Sequence, residues 1–478
     1  MILHRIYEPK LAQGSYLVGC ELTREAIVVD PNRDAEQYLA AAAAERVRIT
    51  HVTETHIHAD FVSGSRELAG RTGAALLLSA EGGEDWQYAF ARSDAARLLR
   101  DRDQFQVGQV RFDVMHTPGH TPEHLAFMVT DTATTDRPMG VFTGDFVFVG
   151  DVGRPDLLER AARVVDSMEA SARQLHASLQ RFKKLPDHLQ LWPGHGAGSA
   201  CGKSLGAVPQ TTLGYERLVN WGLIAGSEEE FVAGVLAGQP EPPRYFAEMK
   251  RVNREGPRVL GHLPRPPALA GDTLRHVLES GAIVLDTRSV HAFGAGHVPG
   301  TINIPLNRSF TTWAGWLIPY DRDFYLIAEE GRALEEAVRD LALIGLDRVH
   351  GWFGVEAVDE WKRSGGTLET VTEISSGDVA TRLRDGGATI VDVRNVHEWE
   401  AGHLEGAHHI PLGELPSRIA EIPRDRPIVL HCQGGTRSAI AASLLQAEGV
   451  EDVLNLAGGF AAWKEAGLPV EDAPKAKP

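Results

Sequence analysis

Cysteine is scarce in this chain of 478 residues: Cys20, Cys201 and Cys432 are the only three. They lie far apart and show no C-x-x-C spacing, which excludes a disulfide scaffold and a cysteine-rich zinc module and points to a reducing, cytoplasmic setting. Long apolar runs are missing as well. None approaches the ~18 residues of a membrane span, and Met1 to Pro9 lacks the apolar core of a signal peptide. Basic residues are in deficit, 48 Lys and Arg against 65 Asp and Glu, for a net charge of −17. That deficit speaks against non-specific binding to nucleic acid or an anionic membrane, both of which need a basic face. It leaves room for a local basic pocket that takes an anionic substrate. What is present is an ordinary globular balance, 43% hydrophobic and 24% charged, with length for about three domains.

The last third of the chain repeats itself. Asp286, Arg288, His291, Gly296, His297, Gly300, Ile304, Pro305 and Leu306 recur as Asp392, Arg394, His397, Gly402, His403, Gly406, Ile410, Pro411 and Leu412, every pair offset by 106. Two copies of one domain of about 100 residues are expected, at 268–366 and 373–470. Pro257, Pro264, Pro266 and Pro267 mark a linker near 255–269, and Ser364-Gly365-Gly366-Thr367 a second joint. The tail from Glu471 to Pro478 is polar and expected to fray. Residues 1–254 form a larger first domain. There, short apolar runs end in polar loops: Ala26–Val29 before Asp30, Arg48–Thr53 before Glu54-Thr55-His56, Val141–Thr143 before Gly144-Asp145, and Leu189–Trp192 before Pro193-Gly194-His195. These read as buried strands delivering polar residues at their ends, with helices at 34–45 and 157–182 between them, an α/β class.

Four stations carry metal-ligand chemistry: Thr55-His56-Ile57-His58-Ala59-Asp60-Phe61, Pro118-Gly119-His120, Gly144-Asp145 and Gly194-His195. Imidazole and carboxylate are the groups that hold first-row metals, and a fold gathers such a site by ending several strands at one rim. The pattern resembles the metallo-β-lactamase superfamily, whose first motif is H-x-H-x-D-H and whose fold is an αββα sandwich. Phe61 stands where that motif has its last histidine, and phenylalanine cannot ligate, so a two-metal hydrolase of the glyoxalase II type is disfavoured. Within the superfamily the chain is most similar to the persulfide dioxygenases. That resemblance implies one Fe(II) per chain, held by His56, His120 and Asp145, with His58, Asp60 and His195 orienting ligands or water. The segment Asp151-Val152-Gly153-Arg154-Pro155-Asp156 resembles a dioxygenase motif. Arg154 there either binds the anion of a thiol persulfide or forms an ion pair with Asp151 or Asp156. Cys201, close after His195, is either a relay or redox thiol near the metal rim or a small buried residue.

In the last domain Pro427–His431 reads as a strand and Ser438–Leu445 as a helix, with Cys432-Gln433-Gly434-Gly435-Thr436-Arg437 between them. A cysteine in a glycine-rich turn at a helix N-terminus faces converging N–H groups that stabilise negative charge on sulfur. Arg437 can neutralise an arriving anion, and Gln433, Gly434, Gly435 and Thr436 would line the substrate. The loop resembles that of the rhodanese sulfurtransferases; its six residues suit a terminal sulfur, whereas related phosphatase loops have seven. The first copy reads Ala328-Glu329-Glu330-Gly331-Arg332 at this place, with no cysteine, and is expected to be catalytically dead. The order of parts resembles bacterial persulfide dioxygenase–rhodanese fusions. It implies oxidation of a glutathione, coenzyme A or similar persulfide by O2 to sulfite, thiosulfate:thiol sulfur transfer at Cys432, and a homo-oligomer without nucleic-acid or membrane partners. The alternatives are a zinc thioester hydrolase with a sulfur-carrier rhodanese domain, and a carrier whose metal site is vestigial.

Overall fold

The computed structural model describes residues 1–157, 168–239 and 241–471. The expected helix at 157–182 is therefore described only as Met168–Phe182, and the polar tail beyond residue 471 lies outside the described residues. The chain divides into two compact units, Met1–Leu263 with Ala342–Gly345, and Pro264–Leu341 with the residues from Leu346 onward.

The first unit has two six-stranded sheets. Sheet one runs β1 (Ile2–Glu8), β2 (Gln13–Gly19), β3 (Glu25–Val29), β4 (Arg48–Thr53), β5 (Ala75–Ser79) and β6 (Arg97–Leu99). It is antiparallel through β3 and parallel from β3 onward. Sheet two holds β7 (Gln104–Val107), β8 (Val110–His116), β9 (Leu125–Asp131), β10 (Gly140–Gly144), β11 (Gln190–Pro193) and β12 (Thr211–Thr212). Strand alternation explains the apolar runs, since successive side chains point to opposite faces and both faces are covered. Tyr16, Val18, Ile27 and Val29 meet Phe112, Phe127, Phe142 and Trp192 between the sheets. Leu17, Ala26 and Val28 face outward onto Ala35, Tyr38 and Ala42 of the helix Ala35–Glu45. On the other outer face Ala126, Val141 and Leu191 pack on Ala172, Leu175, Leu179 and Phe182 of the helix Met168–Phe182. The result is the expected αββα sandwich.

The second unit contains two separate sheets. The first is parallel, β13 (Ile283–Asp286), β14 (Ile302–Asn303), β15 (Phe324–Ala328) and β16 (Val349–Gly354), in the order β14-β13-β15-β16. The second adds β17 (Thr372–Ile374), β18 (Thr389–Asp392), β19 (His408–His409), β20 (Ile428–His431) and β21 (Val453–Leu456), in the order β17-β21-β20-β18-β19. The repeat is visible in the bonding. Arg288 Nη2 donates to Asp286 and to the Gly296 carbonyl, at 2.7 and 3.1 Å. Arg394 Nη2 does the same to Asp392 and Gly402, at 2.6 and 2.9 Å. These arginines and aspartates hold their own domains together. Among the described residues no helix is long and apolar enough to cross a membrane.

Candidate metal centre and cysteine loop

The strand ends of the first unit converge at one rim. β4 runs into Thr55 and His56, β10 into Asp145 and β11 into His195, while His120 stands on the turn between β8 and β9. Local geometry presents them. Gly119, at φ +141°, brings the His120 turn against the backbone of Leu175, where a side chain would collide. Gly153 has no room for a Cβ because the Asp145 carbonyl occupies that space.

The hydrogen-bond network sets each imidazole's tautomer. Asp30 accepts from Thr55 N–H at 2.6 Å and from Thr55 Oγ1 at 2.9 Å. The Thr55 hydroxyl oxygen is thus left to accept from His56 Nδ1–H, 2.9 Å away. His120 Nδ1–H donates to the Arg154 carbonyl at 3.0 Å. Both rings therefore turn an unprotonated Nε2 toward Asp145 Oδ2, at 3.8 Å from His56 and 3.5 Å from His120. Burial, reinforced by the surrounding imidazoles, holds His56 well below the usual histidine range, and burial also lowers His120. Asp145 Oδ2 is buried with no hydrogen-bond partner among the described residues. Three buried, unused donors within 4.8 Å of one another are a set that a metal ion fits, since carboxylate and neutral imidazole complete their bonding only by ligation.

The expected orienting groups stand around this triad. His195 Nδ1–H donates to Asp145 Oδ1 and Nε2–H to Asp60 Oδ2, both at 2.7 Å. Burial opposes charge on His195, but Asp145 and Asp60 outweigh it and raise its pKa well above the ordinary value. Burial would likewise raise Asp145, yet His195 holds it below the usual carboxylate range. His58 turns away to Asp30 at 3.1 Å and packs at a tilt against Phe61, ring centroids 4.4 Å apart. Cys201 joins Asp60 and His195 in a second cluster whose ligand atoms lie within 4.8 Å of one another, and burial pushes its thiol up to about 12. Arg154 is fully buried. Its Nε and Nη2 go to the two oxygens of Asp156, each at 2.7 Å, and its Nη1 to the Ala200 carbonyl at 2.9 Å. Of the two readings for Arg154, this is the ion pair. Three of its five N–H groups are spent in these bonds.

Sequence reasoning passed over Asp30 and His124. His124 is fully buried, stacks on His56 with ring centroids 5.0 Å apart, and its Nε2 accepts Asp145 N–H at 3.2 Å. No spacing rule marks it. Asp30 had one signal, its place at the end of an apolar strand.

In the second unit Cys432 follows β20, at the N-terminus of the helix Thr436–Ala447. Gly435, at φ +100°, turns its N–H onto Cys432 Sγ at 3.1 Å, and Ser438 Oγ lies 3.5 Å from the sulfur. Gly434, Thr436 and Arg437 line a cavity with Cys432. Gln433 is exposed on the same loop but does not line it. Arg437 donates to both oxygens of Glu398, at 2.6 Å each. None of the three cysteines forms a disulfide.

Residues 11–195 match the metallo-beta-lactamase superfamily, and residues 375–466 the rhodanese-like domain. A metallo-beta-lactamase crystal structure from Staphylococcus aureus subsp. aureus COL superposes with a TM-score of 0.67 and 40% identity, over 74% of this chain and 99% of that one. A sulfurtransferase of Allochromatium vinosum is 40% identical over 101 residues, 21% of this chain and 94% of its own. A hydroxyacylglutathione hydrolase of Rhodospirillum rubrum is 31% identical over 38% of this chain and 60% of its own. The mitochondrial persulfide dioxygenase ETHE1 of Bos taurus is 27% identical over 41% of this chain and 68% of its own. The chain spans 61% of the length of the beta-lactamase hydrolase-like proteins of Xylella fastidiosa that it also matches.

Proposed function

The chain belongs to the metallo-beta-lactamase superfamily and carries a rhodanese-like domain toward its C-terminal end; from that premise we propose that it is a persulfide dioxygenase coupled to a sulfurtransferase. One Fe(II) would be held by His56, His120 and Asp145. The substrate is the persulfide of a small thiol such as glutathione or coenzyme A. The reaction RSS⁻ + O2 + H2O → RS⁻ + SO3²⁻ + 2H⁺ balances, with four electrons passing from the outer sulfur to O2. At the second site Cys432 persulfide gives its outer sulfur to sulfite, yielding thiosulfate and the free thiolate, or runs in reverse.

The observation that carries this reading is the number of free donors. Three converge on one side, while His58 is committed to Asp30 and position 61 is a phenylalanine. Two histidines and a carboxylate on one face leave neighbouring positions for two exogenous ligands. Iron(II), when bound, supplies the redox chemistry that lets O2 react with a sulfur anion. The chain's residues do the rest: Thr55 and the Arg154 carbonyl orient the imidazoles, and His195 fixes the Asp145 carboxylate.

Two observations favour a second reading, a zinc thioester hydrolase in which Cys432 only carries sulfur. The names of the curated relatives lean toward hydrolases, and the cluster of Asp60, His195 and Cys201 could seat a second ion. The test is O2 uptake by anaerobically Fe(II)-loaded protein given glutathione persulfide or coenzyme A persulfide, against a zinc-loaded control assayed with S-lactoylglutathione. Uptake with iron alone is expected. Flat traces with both persulfides, together with thioester hydrolysis by the zinc form, would overturn the dioxygenase. Cys432→Ser should abolish sulfur transfer and spare O2 uptake.

A further inference from the structure

The first rhodanese-like copy has lost its own cysteine, yet it reaches the cysteine of the second. Asn307, Arg308, Ser309 and Trp313, at the start of the helix Phe310–Leu317, form one wall of a cavity of about 450 Å³. Its other wall is Cys432, Gly434, Thr436 and Arg437. The two copies are fitted closely around it. Asn303 N–H donates to Ser443 Oγ, on the helix that begins beside Cys432, at 2.9 Å, and Gly413 lies so close to the Trp316 indole that a Cβ there would collide.

Charge in this cavity is unevenly available. Arg437 gives one N–H of each terminal nitrogen to Glu398, so a carboxylate already balances its charge, and it also interacts with the Cys432 sulfur. Thr436 and Gly434 are neutral. Arg308 is exposed and makes no hydrogen bond or ion pair among the described residues. A sulfane-sulfur donor such as thiosulfate is a dianion and needs an uncommitted cation to hold it near a thiolate. The transfer step makes the same demand. Cys432 S⁻ attacks the outer sulfur of thiosulfate, and the bond from that sulfur to the sulfonate breaks. The electron pair leaves with sulfite, and Cys432 retains a persulfide anion, so both negative charges of the donor depart on the sulfite.

We propose that Arg308, from the copy without a cysteine, is the residue that recognises the sulfonate end of the substrate at Cys432, assisted by the polar side chains of Asn307 and Ser309. The first copy, though without a cysteine of its own, then supplies the specificity half of a shared site. The proposal rests on the sulfur-transfer reading of Cys432, and the experiment separates the two. Thiosulfate-to-cyanide sulfur transfer is measured on the full chain for wild type, Arg308→Gln, Arg308→Glu and Arg308→Lys. The expected result for Arg308→Gln is a KM for thiosulfate raised about tenfold or more, the cost of one charge-assisted hydrogen bond, with kcat little changed and Arg308→Lys intermediate. In parallel, Cys432 is alkylated with anionic iodoacetate and neutral iodoacetamide and its peptide quantified by mass spectrometry. The neutral reagent reports access and folding, so a fall in the iodoacetate-to-iodoacetamide ratio in Arg308→Gln, and a larger fall in Arg308→Glu, isolates the charge. An unchanged ratio in both variants overturns the role of Arg308. A wild-type chain that transfers no sulfur from thiosulfate overturns the reading of Cys432 instead, while the alkylation ratio still decides whether Arg308 acts on anions there.

Discussion

Replacing Asp156 by asparagine keeps the shape of the Arg154–Asp156 pair and removes one charge. Both side chains are essentially inaccessible, and the two bonds between them are 2.7 Å each. The variant therefore leaves a guanidinium buried without a counter-charge. At an effective dielectric of about 20, opposite charges some 4 Å apart attract by about 4 kcal/mol, and breaking buried pairs costs about 3–5 kcal/mol. For a unit of this size that is a fall of about 10 °C in Tm. The damage should not stop there. The Arg154 carbonyl holds His120 Nδ1, and Gly153 beside it lies against the Asp145 carbonyl. A shift in this segment moves two of the proposed metal ligands, for which about a 10–100-fold loss of metal affinity is the ordinary consequence. Urea unfolding of the full chain, read by exposure of the Cys20 thiol buried in the first unit, reports the stability of that unit alone. A chelator competition titration reports the affinity. The double variant Arg154→Met, Asp156→Leu removes both charges and should recover much of the stability lost in the single one. An Asp156→Asn protein within about 1 kcal/mol of wild type, or a double variant no better than the single, would refute the reasoning.

Three further outcomes follow from the structure. His431 is buried beside Cys432, and burial lowers its pKa to about 4 against ~6.5 unfolded. The unfolded chain therefore binds a proton that the folded chain refuses, so His431's share of stability is complete above pH 6.5 and lost as pH falls toward 4, by up to ~3 kcal/mol; thermal melts across that window should slope less in His431→Leu. Cys201, raised to about 12 by burial, should alkylate slowly at neutral pH and faster by about tenfold per pH unit as the thiolate fraction grows, which mass spectrometry of its peptide would follow. His124→Leu removes the acceptor for Asp145 N–H and should weaken metal binding by about 10-fold or more with little change in fold, checked by the same chelator competition and by circular dichroism.

Much of the molecule was legible in the sequence because it is encoded over short windows. The apolar runs 26–29 and 141–143 read as strands because a strand buried on both faces has no polar side to show. The 106-residue repeat survived as the same Asp–Arg–Gly bonding in both copies. The triad of His56, His120 and Asp145, the orienting place of Asp60 and His195, and the cysteine loop all came from motifs whose chemistry is local to a strand end or a helix start. Tertiary structure decided how those groups spend their bonds. His56 rather than His58 faces the proposed metal position because Asp30, just past the end of β3, claims His58 and sets the Thr55 hydroxyl. Arg154 had two readings in the sequence, and the folded chain shows its pair with Asp156; Arg437 looked free for substrate until packing gave it Glu398. Arg308 had no mark in its own segment, and only the packing of one copy against the other puts it at Cys432. Strand periodicity and turn chemistry are set by neighbours along the chain and can be read there. The partner of a buried charge is set by desolvation, which begins only when distant segments close over it.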